Sequence, residues 1–168
     1  MEPNRYELKT HADVIFSNGG GFNLSQHIRT GLVDHLLDVD AFVGTGTTDF
    51  QLGGLAKYNF LPDIEGQVGL SFLGGLSIIR DEGNAGFALS SGALVSKQFP
   101  VQFGSIEPYG ALQLELFMVS DNSQLPITIL GGSKWTFVDL EPWSFYSELS
   151  VSLHESLTGI AIGAAYPF

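Results

Sequence analysis

Apolar and polar residues alternate along nearly the whole chain, in short segments separated by turn signals. A period of two is typical of β-strands, because successive side chains of a strand point to opposite faces. Turn residues recur at Asn18-Gly19-Gly20, Val33-Asp34, Thr47-Thr48, Pro62-Asp63, Glu82-Gly83-Asn84, Pro100, Asp121-Asn122, Glu141-Pro142 and Glu155-Ser156. The pattern predicts ten antiparallel strands, over residues 6–17, 22–31, 37–46, 50–60, 67–80, 85–99, 101–117, 125–137, 143–154 and 157–168.

The alternation defines two faces that differ in chemistry. One face is apolar in the predicted strands, with members such as Leu70, Leu114, Leu149 and Ile162. The opposite face carries most of the charges, namely Lys9, His11, Asp13, His27, Arg29, Asp38, Asp40, Lys57, Glu107, Glu115, Lys134, Glu148 and His154. In a soluble barrel the polar face would meet water, whereas in a membrane barrel the apolar face meets lipid and the polar face lines the interior.

Aromatic residues favour the membrane arrangement. If both termini lie on one side, the aromatic side chains crowd the strand ends of that side, principally Tyr6, Tyr58, Phe60, Trp135, Phe137, Trp143, Tyr166 and Phe168. Such a girdle is typical of the membrane–water interface. The alternative is a soluble lipid-binding barrel whose aromatics line a cavity, but a cavity gives no reason for them to gather at one rim.

Composition agrees with a membrane barrel. The chain has 168 residues, is 44% hydrophobic and only 15% charged, and contains 21 glycines. We expect a single domain over residues 1–168, because no linker or shift in composition divides the chain. Its apolar stretches are too short for a membrane-spanning helix, which needs about 18 residues or more. The net charge of −11 argues against nucleic acid as a partner.

The last six residues, Gly163-Ala164-Ala165-Tyr166-Pro167-Phe168, resemble the closing strand of bacterial outer-membrane proteins. Aromatics stand at the last and third-last positions, and a glycine stands five residues before the end. This resemblance implies an up-and-down transmembrane barrel in the outer membrane of a Gram-negative bacterium. It also implies two partners, the outer-membrane lipids and the barrel-assembly machinery that reads the closing strand. The sequence does not indicate an oligomeric state.

Turn geometry predicts which interior charges are opposed. In a hairpin the numbers of two directly opposed residues add up to a constant, which the position of the turn sets. On one wall we expect a row of His11, Arg29, Asp38 and Lys57 beside a row of Asp13, His27 and Asp40. On the other wall, Lys134 is expected to lie between Glu107 and Glu148. Interleaved charges of opposite sign avoid the cost of burying an isolated ion. The interior is therefore predicted to be largely filled by a salt-bridge network. Such a network could also act as a charged constriction for small solutes.

Enzymatic functions have weaker support. His154-Glu155-Ser156 is similar to the His-x-Ser spacing of lipid A deacylases, but no acidic side chain follows Glu155. Asp38 and Asp40 resemble one acidic pair of the omptin proteases, whose sites also need an Asp-His pair on one face. The four histidines are scattered without the spacing of a metal site. We expect a non-enzymatic barrel without metal or cofactor, acting as a structural component or a very narrow channel. A soluble lipid-binding barrel and an envelope hydrolase remain alternatives.

Pro108 lies on the apolar face of the seventh predicted strand and cannot donate a ladder hydrogen bond. The sequence therefore predicts a β-bulge at this position.

Overall fold

The computed structural model describes residues 5–17, 20–33, 36–47, 49–81, 84–119 and 122–168. The turn positions Asn18, Gly19, Asp34, Thr48, Glu82, Gly83 and Asp121 lie outside these residues. Ten long strands are present: β1 (Tyr6–Ile15), β2 (Gly21–Val33), β3 (Leu37–Gly46), β4 (Phe50–Leu61), β5 (Gly69–Asp81), β6 (Asn84–Ser96), β8 (Gly104–Val119), β10 (Ile127–Phe137), β11 (Ser144–His154) and β12 (Gly159–Pro167). Two three-residue strands, β7 (Phe99–Val101) and β9 (Asn122–Gln124), extend the hairpins on either side of β8.

The ten long strands close into an antiparallel barrel. Each pairs with the next along the chain, β6 with β8 and β8 with β10, and β12 returns to pair with β1. The predicted fold of about ten up-and-down strands is confirmed. A single 3₁₀ turn (Val138–Leu140) is the helical element within the described residues, and none of them forms a helix that could cross a membrane.

The two faces of the wall are inverted relative to a soluble protein. Large apolar side chains cover the outside, including Leu76 at 60% exposure and Ile162 at 61%. Charged side chains turn inward, and Glu7 and Asp38 are only 7% and 3% exposed. Inward and outward residues alternate along most of each long strand, with register shifts near the ends of β2, β4 and β10.

Several large inward side chains lie flat over a glycine on the following strand. The Phe42 ring occupies the space that a Cβ on Gly53 would need, and the Tyr109 ring does the same at Gly132. In each pair the two residues are directly opposed in the ladder. Small and large residues therefore interlock across neighbouring strands, which fills the inner surface without forcing the backbones apart.

Tyr146 forms the most extended contact of this kind. Its ring covers Gly163 on β12, and its hydroxyl donates a hydrogen bond of 2.7 Å to the backbone oxygen of Thr10 on β1. One side chain thus spans three strands and ties together the two that close the barrel.

The bulge expected at Pro108 is wrong. Pro108 opposes Ser133 in an uninterrupted register with β10. On its other side the backbone oxygen of Pro108 accepts a hydrogen bond from the Lys97 amide, at the break between β6 and β7. The N–H and C=O of one ladder residue point to the same neighbouring strand. The backbone N–H that proline lacks would therefore point towards the break between β6 and β7. Its absence does not require a bulge in the ladder with β10.

A clamp at the rim that carries the termini joins two connections. The Lys97 ammonium contacts Asp63 at 2.7 Å and also donates to the backbone oxygens of Ile64 and Gln67. Burial acts to raise the pKa of Asp63, but hydrogen bonds from Lys97 and from the Gln98 amide outweigh it and hold the pKa below its usual range. The clamp orders the long connection between β4 and β5.

The interlocking predicts that Gly163→Ala destabilises the barrel. The new Cβ would meet both the Tyr146 ring and the Thr10 backbone oxygen, and overpacking of this kind costs about 1–3 kcal/mol. Gly74→Ala is the matched control, because nothing lies within 4 Å of the added atom, and it should change stability by less than about 0.5 kcal/mol. Urea unfolding from detergent micelles measures both. Equal stability of the two variants would contradict the interlocking.

Candidate functional site: the charged lumen

Two of the predicted charge pairs face each other directly. Asp38 on β3 opposes Lys57 on β4, with 3.7 Å between the Asp38 Oδ2 and Lys57 Nζ atoms. Glu107 on β8 opposes Lys134 on β10. The inner wall therefore places opposite charges side by side at two points, as the turn geometry predicts.

The other predicted oppositions in the first wall are wrong. His11 faces Ser25 rather than Arg29, and Asp13 faces Asn23 rather than His27. Across the next pair of strands, Arg29 faces Asp40 rather than Asp38.

In the second wall, Glu148 faces Gly132 and not Lys134. Each of these errors shifts the predicted pairing by an even number of residues. An even shift leaves every side chain on its predicted face and changes only its partner, so alternation alone cannot detect it.

Lys134 forms an ion pair with a residue of β1. Its Nζ atom donates to the Glu7 Oε2 atom at 3.3 Å, across strands that are distant in sequence. Glu7 was not among the sequence candidates, although it shares the inward face of β1 with Lys9 and His11. Its place in the alternation of β1, two residues before Lys9, is the sequence signal that could have identified it.

A second cross-lumen pair joins β1 to β11. The Lys9 ammonium lies 3.9 Å from the Glu148 Oε1 atom and 4.0 Å from the centre of the Tyr146 ring. A cation over an aromatic face gains electrostatic stabilisation beyond the ion pair. Lys9 and Tyr146 therefore extend the network around the position where the barrel closes.

His11 and His27 lie near the middle of the lumen, each beside a carboxylate. His27 Nδ1 lies 3.0 Å from Asp40 Oδ1, and Arg29 Nε lies 3.8 Å from the other oxygen of the same carboxylate. His11 Nε2 lies 2.9 Å from Asp13 Oδ1, and the His11 ring meets the edge of Tyr146. The contact of His27 with Asp40 is diagonal, since residues two positions off register remain within reach of long side chains.

Two small cavities lie beside lumen side chains. A cavity of about 190 Å³ lies beside His11 and His27, and another of about 130 Å³ lies between Asp13 and Ser150. No cluster of three or more metal-ligating side chains occurs among the residues that the structure describes.

His154 and Ser156 lie at the far rim, where His154 is within 3.6 Å of Glu155 and the Ser156 hydroxyl donates to the Ile127 backbone oxygen. Asp34 and His35, considered for the omptin resemblance, lie outside the described residues.

Aromatic rings gather at the rim that carries the termini. Ring contacts join Tyr6 to Phe168, Phe60 to Phe72, Phe137 to Phe145 and Trp143 to Tyr166, with centroid distances of 5.0–6.2 Å. Tyr58 lies on the same outer face and is half exposed, and Trp135 follows at the base of β10. The structure therefore places the predicted aromatic residues in one belt.

Comparison with solved structures supports the same architecture. The β-domain of the Bordetella autotransporter BrkA is similar over 98% of both chains, with a TM-score of 0.63 and 8% sequence identity. This chain has the fold of a transmembrane β-barrel. Two further structures are similar at lower TM-scores. A chain titled as de novo design of transmembrane β-barrels has a TM-score of 0.49 and 16% identity over 100% of this chain and 98% of its own. The translocator domain of the autotransporter NalP from Neisseria meningitidis has a TM-score of 0.42 and 14% sequence identity, over 98% of this chain and 88% of its own.

No protein-family model matches the sequence, and comparison with curated proteins gave no match. At these identities the similarity concerns the fold alone.

The lumen network predicts that Lys134→Met lowers stability at neutral pH. Glu7 would lose its counter-charge while staying buried, a loss of about 1–3 kcal/mol because the Lys134 side chain is 35% exposed. Unfolding of both proteins from micelles at neutral pH measures this.

The double variant Glu7→Gln/Lys134→Met is the control, because it removes both charges and should recover most of the loss. A Lys134→Met protein as stable as the parent at neutral pH would show that the pair makes no contribution.

Proposed function

We propose that this chain is an integral barrel of a bacterial outer membrane and serves as a structural component or a very narrow channel. The inverted surface is the observation that carries the proposal. Side chains such as Phe72, Leu76 and Ile162 are more than half exposed, whereas Glu7, Asp38 and Asp40 are buried inside. Exposed apolar area of this extent is unfavourable in water and favourable against acyl chains.

The dimensions of the wall support a membrane position. The long strands have 9–16 residues, and a tilted strand needs about 9–11 to cross a bilayer. Closure of the ladder between β1 and β12 leaves no open sheet edge, which is the condition for a β-structure in lipid. The aromatic belt would then lie at the interface on the side of the termini, in the periplasm.

The partners proposed for this barrel are outer-membrane lipids and the barrel-assembly machinery. Lipids would contact the apolar outer face. The assembly machinery would engage β12, which ends in Tyr166, Pro167 and Phe168 and pairs with β1 to complete the barrel.

Insertion can be tested with single cysteines, because the chain has none of its own. Spin labels at Leu70→Cys and Leu149→Cys should be accessible to a lipid-soluble quencher in liposomes. Labels at the inward positions Ser90→Cys and Ser150→Cys should not. The reverse result, with outer labels shielded and inner labels in bulk water, would favour the soluble lipid-binding barrel.

The filled lumen predicts weak conduction. A barrel of about ten strands is only slightly wider than one of eight, whose interior is filled by side chains. Planar-bilayer recordings should show little or no current. Any current should prefer cations, since the chain carries a net charge of −11. Large, stable, anion-selective openings would contradict the channel part of the proposal.

A further inference from the structure

Three side chains of neighbouring strands form a continuous hydrogen-bonded relay near the middle of the lumen. The Ser25 Oγ atom lies 3.0 Å from His27 Nε2, and His27 Nδ1 lies 3.0 Å from Asp40 Oδ1. Ser25 and His27 are alternate residues of β2, so both point inward, and Asp40 reaches the relay from β3. The two contacts use the two different nitrogens of one imidazole.

The carboxylate decides the direction of this relay. An ionised Asp40 can only accept hydrogen bonds, so His27 must carry a proton on Nδ1. In the neutral imidazole, Nε2 is then an acceptor, and the Ser25 hydroxyl donates to it. A serine hydroxyl that donates to a histidine nitrogen is poised to lose its proton as it attacks a carbonyl carbon.

The His27 ring is held in place from two sides. Its plane stacks on the Phe42 ring with a centroid distance of 5.3 Å and an angle of 25°. Phe42 is itself fixed against Gly53 on β4, and Asp40 is buried. Positioning of a catalytic base by packing and by a second hydrogen bond is what an active site requires.

A cavity adjoins the relay. Its volume is about 190 Å³, equivalent to about six water molecules at roughly 30 Å³ each. Ser25 and His27 line it, and so do Asn23 and Gln51, whose side-chain amides are donors of the type that stabilise an oxyanion. The lining residues come from the strand ends opposite the termini, so the cavity lies at that end of the lumen.

We propose that Ser25, His27 and Asp40 form a nucleophilic site that cleaves small carboxylic esters in the lumen. Ser25 Oγ bonds to the ester carbonyl carbon and its proton passes to His27 Nε2. The carbon–oxygen bond to the alcohol breaks, and the alcohol leaves with that proton. A water molecule then adds to the acyl carbon, His27 takes its proton and returns it to Ser25 Oγ, and the carboxylic acid departs.

In this site Ser25 and His27 are the catalytic residues, and Asp40 is a positioning residue that sets the tautomer of His27. The size and polar lining of the cavity favour a short acyl group over a long lipid chain. The activity goes beyond the structural or channel role, and it does not depend on membrane insertion. Its failure and the failure of the insertion test are therefore separate results.

Covalent labelling of the folded parent protein tests the nucleophile directly. Methanesulfonyl fluoride is small enough for the cavity and forms a sulfonyl ester with an activated serine, releasing fluoride. Peptide mass spectrometry of the folded protein in micelles should find the adduct on Ser25 and not on Ser90, another inward serine. Absence of an adduct on Ser25, or equal labelling of both serines, would overturn the proposal.

Turnover of p-nitrophenyl acetate tests the relay. In the Ser25→Ala protein the rate of p-nitrophenol release should fall to the background rate of the His27→Gln protein. The Ser90→Ala protein should match the parent. Asp40→Asn should lower kcat by roughly 10²–10⁴-fold with little change in KM, and Asp40→Glu should recover part of the loss.

Arg29→Gln separates positioning from charge balance, because it removes the ion pair with Asp40 and leaves the contact with His27. It should keep most of the activity. Refolding of each variant is checked by circular dichroism. A loss as large as that of Asp40→Asn in a folded Arg29→Gln protein would contradict the role assigned to Asp40.

Discussion

The pairing of β1 with β12 is the constraint on which the rest of the structure depends. It runs over nine residue pairs, from Glu7 opposite Pro167 to Ile15 opposite Gly159, and turns a sheet into a closed wall. Once the ladder is closed, each of the ten long strands pairs on both sides, so the outer surface is free to be apolar. The contacts that reinforce this seam come from side chains within the lumen. Tyr146 bonds to the Thr10 backbone, and Lys134 reaches Glu7 across it.

Closure also sets the chemistry of the interior. The inward face of ten strands surrounds a narrow space, so its charges must pair with one another instead of with bulk water. Lys57 with Asp38 and Arg29 with Asp40 meet this requirement between adjacent strands, and Lys9 with Glu148 meets it between strands that do not pair. Glycines such as Gly53 and Gly163 take the space that large neighbours need. The inner wall therefore carries a network of polar contacts with small cavities beside it.

An ordered polar network in a restricted space has a further consequence. Ser25 and His27 are held in contact beside a cavity. The packing that orders the inner wall therefore also positions reactive groups, and the proposed ester cleavage needs only that a small molecule reach the cavity. A structural barrel and a catalytic lumen are compatible functions because they use opposite faces of the same strands.

The sequence by itself determined the strands and their faces. Alternation has a period of two, so the apolar set containing Leu70 and Ile162 could be separated from the polar set containing Asp38 and Lys134 without a structure. Opposition of Asp38 to Lys57 also followed from the turn between β3 and β4. The partners of His11, Arg29 and Glu148 were decided only by the tertiary structure. A shift of two residues preserves every face, so register depends on the length of each connection and on how the closed wall is staggered. The contacts of His27 with Ser25 and with Asp40 depend in addition on Phe42, which stacks on the imidazole, and the order of residues along one strand does not specify that orientation.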